Sequence, residues 1–218
     1  MDTQALRDRR RAAYETTRPE VQAVVPRDAR RILDLGCASG ALGAALKERQ
    51  GAEVVGVELL PEYARDAEEV LDHVVCSDVA GALASPADLG RFDCVIAADV
   101  LEHLVDPWAA LANAVDILET GGTVVVSLPN VQYLKTFLTL ARGTWPRDDA
   151  GLFDRTHLRW FTVRDAWRLL EGAGLDVVAV HPRYWFHGRA LALVRIAGRV
   201  GLSPFLAGQF VLVGRKPA

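Results

Sequence analysis

Short apolar runs alternate with helix-like segments between residues 31 and 129, and this alternation constrains the fold more than any other feature of the chain. The runs are rich in Val and Ile and lack the polar alternation of a half-exposed strand, so they are predicted strands buried on both faces. The segments between them are long enough for helices, as the β-α-β units of a parallel sheet require. The predicted strands here are RILDLG, AEVVGVEL, HVVCSDV, FDCVIAAD and GTVVVSLP.

Helices are predicted over residues 41–50, 61–72 and 107–119. Pro61 and Pro107 suit first helical turns, and Gly51 and Gly121 suit helix ends. Residues 80–90 are predicted to form a loop or a short helix. Beyond residue 130, the pattern predicts helices over 131–141 and 163–171, with a loop from 143 to 156 between them, and two further strands, LDVVAVHP and QFVLVGRK. The predicted fold is therefore α/β, a Rossmann-like doubly wound sheet with helices on both faces.

The composition predicts one globular domain covering residues 1–218. Half of the residues are hydrophobic, 24% are charged, and the net charge is -3. The three cysteines have no CxxC spacing, which favours a reducing compartment and argues against a zinc site. The first twenty residues lack the apolar stretch of a secretory signal, and no window is apolar enough to span a membrane. A cytoplasmic location is the prediction.

Charge is divided unevenly along the chain. Residues 1–31 hold 8 basic and 5 acidic side chains, residues 32–130 hold 4 and 17, and residues 131–218 hold 13 and 6. The acidic middle favours a cationic ligand, whereas the basic flanks favour an anionic or lipid-linked acceptor. Contact with a membrane is predicted to be peripheral at most, and the basic apolar stretch at 188–200 is the candidate segment for it. A nucleic-acid partner is not expected, because the middle of the chain would repel a long polyanion.

A glycine-rich turn follows the first predicted strand and opens the next helix. It reads Asp34-Leu-Gly36-Cys37-Ala38-Ser-Gly40, and glycine at this place lets the backbone turn sharply and approach a ligand closely. Glu58 ends the second strand 22 residues after Gly36, where a carboxylate can accept hydrogen bonds from both hydroxyls of a ribose. Together these residues predict a nucleoside cofactor.

Asp34 decides between two such cofactors. A dinucleotide places a pyrophosphate at the helix N-terminus, where an acidic neighbour would repel it, whereas a ligand with an ammonium group would be attracted. S-adenosylmethionine combines an adenosine ribose with an amino acid and a sulfonium, and it is the predicted cofactor. An NAD-dependent oxidoreductase is the first rival interpretation, and a non-catalytic module that binds the cofactor and regulates a partner is the second.

With these motifs the sequence resembles the class I S-adenosylmethionine-dependent methyltransferases. It is most similar to the bacterial branch of ubiquinone-biosynthesis O-methyltransferases and small-molecule and glycan methyltransferases. The resemblance covers about residues 14–180 and is carried by LDLGCASG, VVGVEL, VVCSDV, FDCVIAADVLEHLVDP and FDRTHLRWFT. It implies a seven-stranded sheet whose last strand is antiparallel. Ala38, where many relatives have glycine, is a departure that narrows the room beside the cofactor.

The resemblance also implies roles for individual residues. The methionine end of the cofactor would be lined by the turn and by Ala98, the ribose would be held by Glu58, and the adenine would be covered by Leu59 and met at its edge by Asp78 and Val79. Residues 1–30 would form a helical lid, with Tyr14 and Arg18 on one helix face and Arg18 at the methionine carboxylate. Residues 31–130 would bind the cofactor and 131–218 the acceptor. The implied cofactor residues are Asp34, Gly36, Cys37, Ala38, Gly40, Glu58, Leu59, Asp78, Val79, Ala98, Tyr14 and Arg18.

Methyl transfer from a sulfonium is a direct displacement, so the protein mainly aligns the reactants, and a hydroxyl acceptor benefits from a general base. His157, on a polar loop with Asp154 available to orient it, and His103, after the fourth strand, are the predicted bases, and Asp99 is a third candidate. No metal site is predicted. The predicted activity is O-methylation of a small molecule, a sugar or a lipid-linked glycan.

Overall fold

A computed structural model of the chain describes residues 15–84, 89–186, 194, 196–197 and 201–218, and it contains a seven-stranded sheet. The strands lie side by side in the order β3-β2-β1-β4-β5-β7-β6. The predicted seven-stranded α/β sheet is therefore confirmed. The strands are β1 (Arg31–Leu35), β2 (Glu53–Glu58), β3 (His73–Cys76), β4 (Phe92–Ala98), β5 (Leu118–Pro129), β6 (Asp176–Arg183) and β7 (Gln209–Arg215).

Strands β1 to β5 pair in parallel, and β7 runs antiparallel to both of its neighbours, β5 and β6. The last strand is therefore antiparallel, as the resemblance implied. It does not lie at the edge of the sheet, because it inserts between β5 and β6. Residues 210–213 are buried in this inner position.

Helices connect the strands in the part of the chain that is described. They are α1 (Pro19–Gln22), α2 (Ala41–Gln50), α3 (Pro61–Glu68), α4 (Val79–Leu83), α5 (Pro107–Asp116), α6 (Leu134–Ala141), α7 (Val163–Gly172) and α8 (Ser203–Leu206), with a 3-10 turn at Leu101–His103. Pro61 and Pro107 occupy first turns, and Asp106 caps α5 by accepting a hydrogen bond from the Ala109 N–H. The stretch predicted as a loop or a short helix begins with the single turn α4.

The hydrophobic core lies on both faces of the sheet. One apolar cluster contains Leu33, Val95 and Leu111, and a second, on the opposite face, contains Ile32, Leu46 and Ile96. Successive β1 residues thus point into different clusters, as the two-residue period of a strand requires. The uniform apolar character of the central strands follows from this double burial.

Several predicted boundaries were wrong. The helix beginning at Pro107 ends at Asp116 instead of residue 119, because Leu118 already pairs with Phe92 and begins β5. Gly121 consequently lies inside β5 and does not end a helix. Helix α3, predicted over residues 61–72, ends four residues earlier, at Glu68. Helix α6, predicted to begin at residue 131, begins three residues later, at Leu134.

In the described part of the predicted lid, residues 15–30, the chain is not one continuous helix. Arg18 adopts a left-handed backbone conformation (φ 48°), and α1 begins only at Pro19. A residue that precedes proline is disfavoured in the α region, so Arg18 cannot continue a helix into α1. Tyr14, predicted to lie on the same helix face as Arg18, is outside the described residues, and so is most of the basic stretch at 188–200. Among the described residues, no helix combines the length and apolarity needed to cross a membrane.

Candidate active site

A cleft of about 630 Å³ opens at the carboxyl ends of the parallel strands. Strands β1 and β4 are neighbours although β2 and β3 lie between them in sequence, which makes this the point where the strand order reverses. Open α/β sheets bind ligands at such a point. The cleft is large enough for a cofactor and a small acceptor together. The lining includes every candidate residue of the sequence analysis that is described except Gly40.

The predicted glycine-rich turn joins β1 to α2 and forms one wall of the cleft. Gly36 has a positive φ of 69°, and a Cβ added to it would lie 2.5 Å from Cγ2 of Val100. Neither the backbone conformation nor the space would accept another residue. Ala38 also adopts a positive φ, 48°, in the region that favours glycine. The departure at Ala38 therefore places an alanine in a strained conformation, and its N–H is held by Glu58.

Asp34, at the end of β1, is a buried carboxyl group with a free oxygen. The residue is 2% exposed, and its Oδ2 atom has no hydrogen-bond partner among the described residues. Burial raises the pKa of Asp34 to about 7, with Arg18 lowering it and Glu58 raising it further. A cationic group in the cleft would satisfy the free oxygen and favour the ionised form. The residue thus fits the ammonium group of an amino-acid cofactor.

Glu58 is held in place by the backbone of both adjoining loops. Its Oε2 accepts a hydrogen bond from the Ala38 N–H at 2.9 Å, and its Oε1 accepts one from the Leu60 N–H at 2.9 Å. Burial raises the pKa of Glu58, and the backbone donors partly offset that rise. Each carboxylate oxygen keeps a second lone pair, so the oriented group can still accept hydrogen bonds from two ribose hydroxyls.

The remaining predicted cofactor residues line the same cleft. Leu59 is 62% exposed at its lip, where an apolar side chain can cover a nucleobase. Asp78 caps α4 by accepting from the Gly81 N–H at 2.8 Å, which orients its carboxylate beside Val79. Cys37 is buried, and burial raises the pKa of its thiol, so it contributes packing instead of a reactive thiolate.

Arg18 and Asp99 form an ion pair across the cleft floor. Nη1 of Arg18 lies 2.8 Å from Oδ2 of Asp99, and its Nε lies 2.8 Å from Oε1 of Glu20. Burial alone lowers the pKa of Arg18, but Asp99 and Glu20 outweigh it and the pKa ends above its usual value. Oδ1 of Asp99 accepts from the Ser127 hydroxyl at 2.6 Å and from the Gln209 amide. Both oxygens of Asp99 are therefore engaged by donors.

His103 is oriented by Thr156. Nδ1 of His103 lies 3.2 Å from the Thr156 carbonyl oxygen and 3.0 Å from the Thr156 hydroxyl. That hydroxyl donates to Oδ1 of Asp154 at 2.6 Å, so toward His103 it acts as an acceptor. Both contacts require a proton on Nδ1, which leaves the lone pair on Nε2. His103 is half-buried and lines the cleft.

His157 has a different environment from the polar one predicted. It is buried, and its Nδ1 donates to the Leu152 carbonyl oxygen at 3.2 Å. The expected orientation by Asp154 was wrong, because the Asp154 carboxylate accepts hydrogen bonds from Thr156 instead. Burial and the neighbouring His103 lower the pKa of His157. It is consequently a weaker proton acceptor than an exposed histidine.

Glu102 lies beneath both histidines. Its side chain is 1% exposed, and within the described part of the chain neither carboxyl oxygen has a hydrogen-bond partner. Burial, and then Asp99, raise its pKa well above the usual value. Its Oε1 is 4.0 Å from Nε2 of His157. Glu102, His103 and His157 each offer one atom that could bind a metal ion, and these three atoms lie within 4.8 Å of one another. The cluster therefore has the spacing to hold a metal ion. We call these three residues the Glu102 cluster.

Sequence reasoning missed the residues that support these candidates. Thr156 stands in a motif that carried the resemblance, but nothing in the sequence pairs it with a histidine 53 residues away. Ser127 is a hydroxyl inside the apolar strand GTVVVSLP, a signal that could have been noticed. Gln209 begins the last strand and reaches Asp99 only because β7 inserts beside β5.

Comparisons with known proteins agree with this geometry. A family profile described as a methyltransferase domain matches residues 6–180. The ubiquinone biosynthesis O-methyltransferase of Cereibacter sphaeroides is 28% identical over 166 residues, 73% of this chain, and the alignment spans only 65% of that relative. The enzyme of the same description from Methylococcus capsulatus is 27% identical over 91% of this chain and 81% of its own length.

Solved structures share the fold. A S-adenosylmethionine-dependent methyltransferase from Archaeoglobus fulgidus superposes with a TM-score of 0.64 at 20% identity, over 96% of this chain and 91% of its own. An O-methyltransferase family protein from Burkholderia thailandensis has a TM-score of 0.66 at 14% identity, over 100% of this chain and 61% of its own. The family implies S-adenosylmethionine as the cofactor, which the free oxygen of Asp34 and the oriented Glu58 fit. The chain therefore belongs to the methyltransferase domain family, as its cofactor turn predicted.

Proposed function

We propose that this protein transfers a methyl group from S-adenosylmethionine to a hydroxyl of a small acceptor. The proposal rests on two carboxyl groups that line the same wall of the cleft. Asp34 has an oxygen without a hydrogen-bond partner among the described residues, and Glu58 is held in place by two backbone N–H groups. The first suits an ammonium group and the second suits a ribose. The names of the relatives support an oxygen acceptor.

Cofactor binding is divided among the chain's own groups. Glu58 accepts hydrogen bonds from the ribose hydroxyls, Asp34 accepts from the ammonium group, and Leu59 covers the adenine beside Asp78. When bound, S-adenosylmethionine supplies a methyl group already activated by the adjacent sulfonium. The protein therefore needs no covalent nucleophile, and its main contribution is to align the acceptor oxygen and exclude water.

His103 is the proposed general base. Its Nε2 carries the lone pair because Nδ1–H is directed at Thr156, and it faces a cleft where the acceptor hydroxyl can approach. As the acceptor oxygen bonds to the methyl carbon and the carbon–sulfur bond breaks, the hydroxyl proton passes to Nε2 of His103 and then to solvent. A positioned base of this kind contributes about 100- to 10,000-fold in rate.

The other two predicted bases fit positioning roles better. His157 is buried with a lowered pKa, and it supports His103 through an edge-on ring contact at 4.8 Å. Asp99 engages both oxygens with Arg18, Ser127 and Gln209, so it holds the floor of the cleft and ties the N-terminal segment to the sheet. Arg18 can still meet the methionine carboxylate beside its ion pair, because it lines the cleft.

The charges that line the cleft do not favour an anionic acceptor. Six acidic and two basic side chains are among the described residues that line it, so no excess of positive charge selects an anion. The anionic acceptor expected from the basic flanks is thus not supported at the site.

A lipid-linked or glycan acceptor stays a proposal, and so does peripheral membrane contact. Membrane contact is supported by the exposed apolar face of α6, beside which Lys135 and Arg142 lie. The cytoplasmic location also stays a prediction.

Calorimetric titration with S-adenosylmethionine, S-adenosylhomocysteine and NAD tests the proposal. We expect both adenosyl ligands to bind and NAD not to bind. Glu58→Ala should weaken binding by about 1.5 to 3 kcal/mol, the contribution of hydrogen bonds to a charged group. Glu53→Ala, at an exposed position on the same strand, is the matched control. Binding of NAD alone, or unchanged affinity in a folded Glu58→Ala variant, would refute the proposed function.

A further inference from the structure

Trp185 lies at the cleft, just after β6, in a position that neither the sequence motifs nor the proposed chemistry uses. The residue is 39% exposed even though its ring packs against Gly208 and Tyr133. It lines the same cleft as His103 and Ala98. An exposed indole inside a ligand cleft offers a flat apolar face, and such faces dominate the contacts that bind ring-shaped ligands.

The indole ring rests on Gly208. A Cβ added to Gly208 would lie 2.4 Å from Cδ2 and Cε3 of Trp185 and 2.7 Å from Cε2. Cδ2 and Cε2 are the atoms shared by the two fused rings, so the glycine meets the face of the indole and not its rim. Only a residue without a side chain allows the ring to lie this close to the backbone.

The backbone beneath the ring is fixed by hydrogen bonds from three elements. The Gly208 N–H donates to the Arg183 carbonyl oxygen at 3.1 Å, and the Asn130 N–H donates to the Gly208 carbonyl oxygen at 2.9 Å. The buried Asn130 amide donates to the carbonyl oxygens of Pro204 and Ala207, at 2.7 and 2.8 Å. The support of the ring therefore joins the ends of β5 and β6 to the turn before β7.

Tyr133 holds the indole from another side. The two ring centroids are 5.7 Å apart and the planes are 80° from parallel, which is the edge-to-face arrangement that aromatic pairs prefer. The same Tyr133 ring contacts Phe186 at 6.4 Å. With one face on Gly208 and an edge contact to Tyr133, Trp185 is preorganised before any ligand binds.

We propose that Trp185, supported by Gly208, is the platform on which the ring that carries the acceptor hydroxyl stacks. The inference rests on the proposed methyltransferase function and adds to it the group that positions the acceptor. The ligand chemistry is a flat, hydroxylated ring that carries no negative charge. An aryl ring and the apolar face of a sugar both present such a surface, and the cleft's lining does not favour an anionic one.

Calorimetry without turnover provides the main test. The S-adenosylhomocysteine complex is titrated with catechol, an aryl diol, and with methyl β-D-glucopyranoside, a sugar. We expect one probe to bind, Trp185→Ala to weaken it by about five- to tenfold, and Trp185→Phe to retain binding within about threefold. The probe that binds identifies the ring as an aryl ring or a sugar.

Gly208→Ala tests the support itself. The added Cβ must displace the indole, so we expect the same loss of probe affinity as in Trp185→Ala. Gly172→Ala, where a Cβ would meet nothing within 4 Å, is the matched control and should leave affinity unchanged. In the Trp185→Ala background, Gly208→Ala should have no further effect, because the two substitutions remove one interaction.

The platform is overturned if neither probe binds the folded wild-type protein, or if Trp185→Ala binds a probe as tightly as the wild type. It is also overturned if Gly208→Ala remains harmful when Trp185 is absent. Thermal unfolding of each variant confirms that it is folded. If S-adenosylhomocysteine does not bind, the proposed function fails by itself, and titrating the ligand-free protein with the same probes still tests the platform.

Discussion

Replacing Asp34 by Asn should alter both the cofactor affinity and the stability of the ligand-free protein. The carboxyl group is fully buried, and burial raises its pKa to about 7. A bound ammonium group favours the ionised form, so cofactor binding drives a proton off Asp34 when the pH is below about 7. Affinity should therefore fall as the pH is lowered.

The magnitude follows from the fraction of Asp34 that is already ionised. With a pKa of about 7, roughly three quarters of the free protein is ionised at pH 7.5 and roughly one tenth at pH 6. The dissociation constant of S-adenosylhomocysteine should thus be about eightfold higher at pH 6. Asp34→Asn should bind about tenfold more weakly at pH 7.5, since a hydrogen bond to a charged group is lost, and the contribution of this site to the pH dependence should disappear.

The raised pKa of Asp34 also predicts that the ligand-free protein becomes less stable as the pH rises, whereas cofactor affinity increases. The pKa of Asp34 in the folded protein lies above its usual value of 3.8. The stability that comes with the protonated carboxyl group is therefore fully present below about pH 4 and is lost as the pH rises through about 7. The loss amounts to about 4 kcal/mol as an upper bound. Without ligand at pH 7.5, Asp34→Asn should therefore unfold at a higher temperature than the wild type.

Calorimetric titration at the two pH values, together with thermal unfolding, measures both effects. Asp28→Asn, at an exposed position, serves as the control. Comparison with Asp34→Asn isolates the contribution of this carboxyl group to the pH dependence. Equal wild-type affinity at both pH values, or wild-type affinity in Asp34→Asn at pH 7.5, would show that Asp34 does not hold the ammonium group.

Three further predictions concern the base, the Glu102 cluster and α6. Thr156→Val should lower kcat up to about tenfold at saturating cofactor, because it removes the hydroxyl, one of the two acceptors that hold the Nδ1–H of His103, whereas Thr156→Ser should not; equal kcat in both variants would show that the hydroxyl does not orient His103. Turnover should survive EDTA, because His103 acts as a base; a requirement for a divalent ion would instead make the Glu102 cluster a metal site. Phe137→Ser should reduce sedimentation with phosphatidylglycerol vesicles without changing cofactor affinity, since Phe137 is 48% exposed, and unchanged sedimentation would argue against membrane contact through α6.

The difference between the two histidines shows why the base could not be assigned from sequence. Their motifs differ little in polarity, and Asp154 stands three residues before His157. In the folded chain, however, Asp154 supports Thr156, and Thr156 supports His103 from the opposite loop. Sequence proximity predicted the wrong partner, because side-chain direction in a loop is set by the packing of the whole cleft.

The alternation of buried strands and helices, the cofactor turn and the acidic residue at the end of β2 were all determined by local sequence. Each depends on short-range physics: the two-face burial of a strand, the positive φ of Gly36, and the placement of Glu58 at the end of its own strand. The family and the cofactor followed from these residues. The antiparallel direction of β7 was implied by the resemblance, but its place between β5 and β6 was not, because strand order depends on which edges pair across the whole sheet.

Tertiary structure alone decided how distant residues meet. The network of Arg18, Asp99, Ser127 and Gln209 joins residues up to 191 positions apart in sequence and exists because the carboxyl ends of β4 and β5 meet the start of β7 beside the N-terminal segment. The platform of Trp185 likewise requires a glycine 23 residues later to lie beneath its ring. Such contacts have no periodicity or spacing in the chain, since they arise only when the sheet has brought separate segments together.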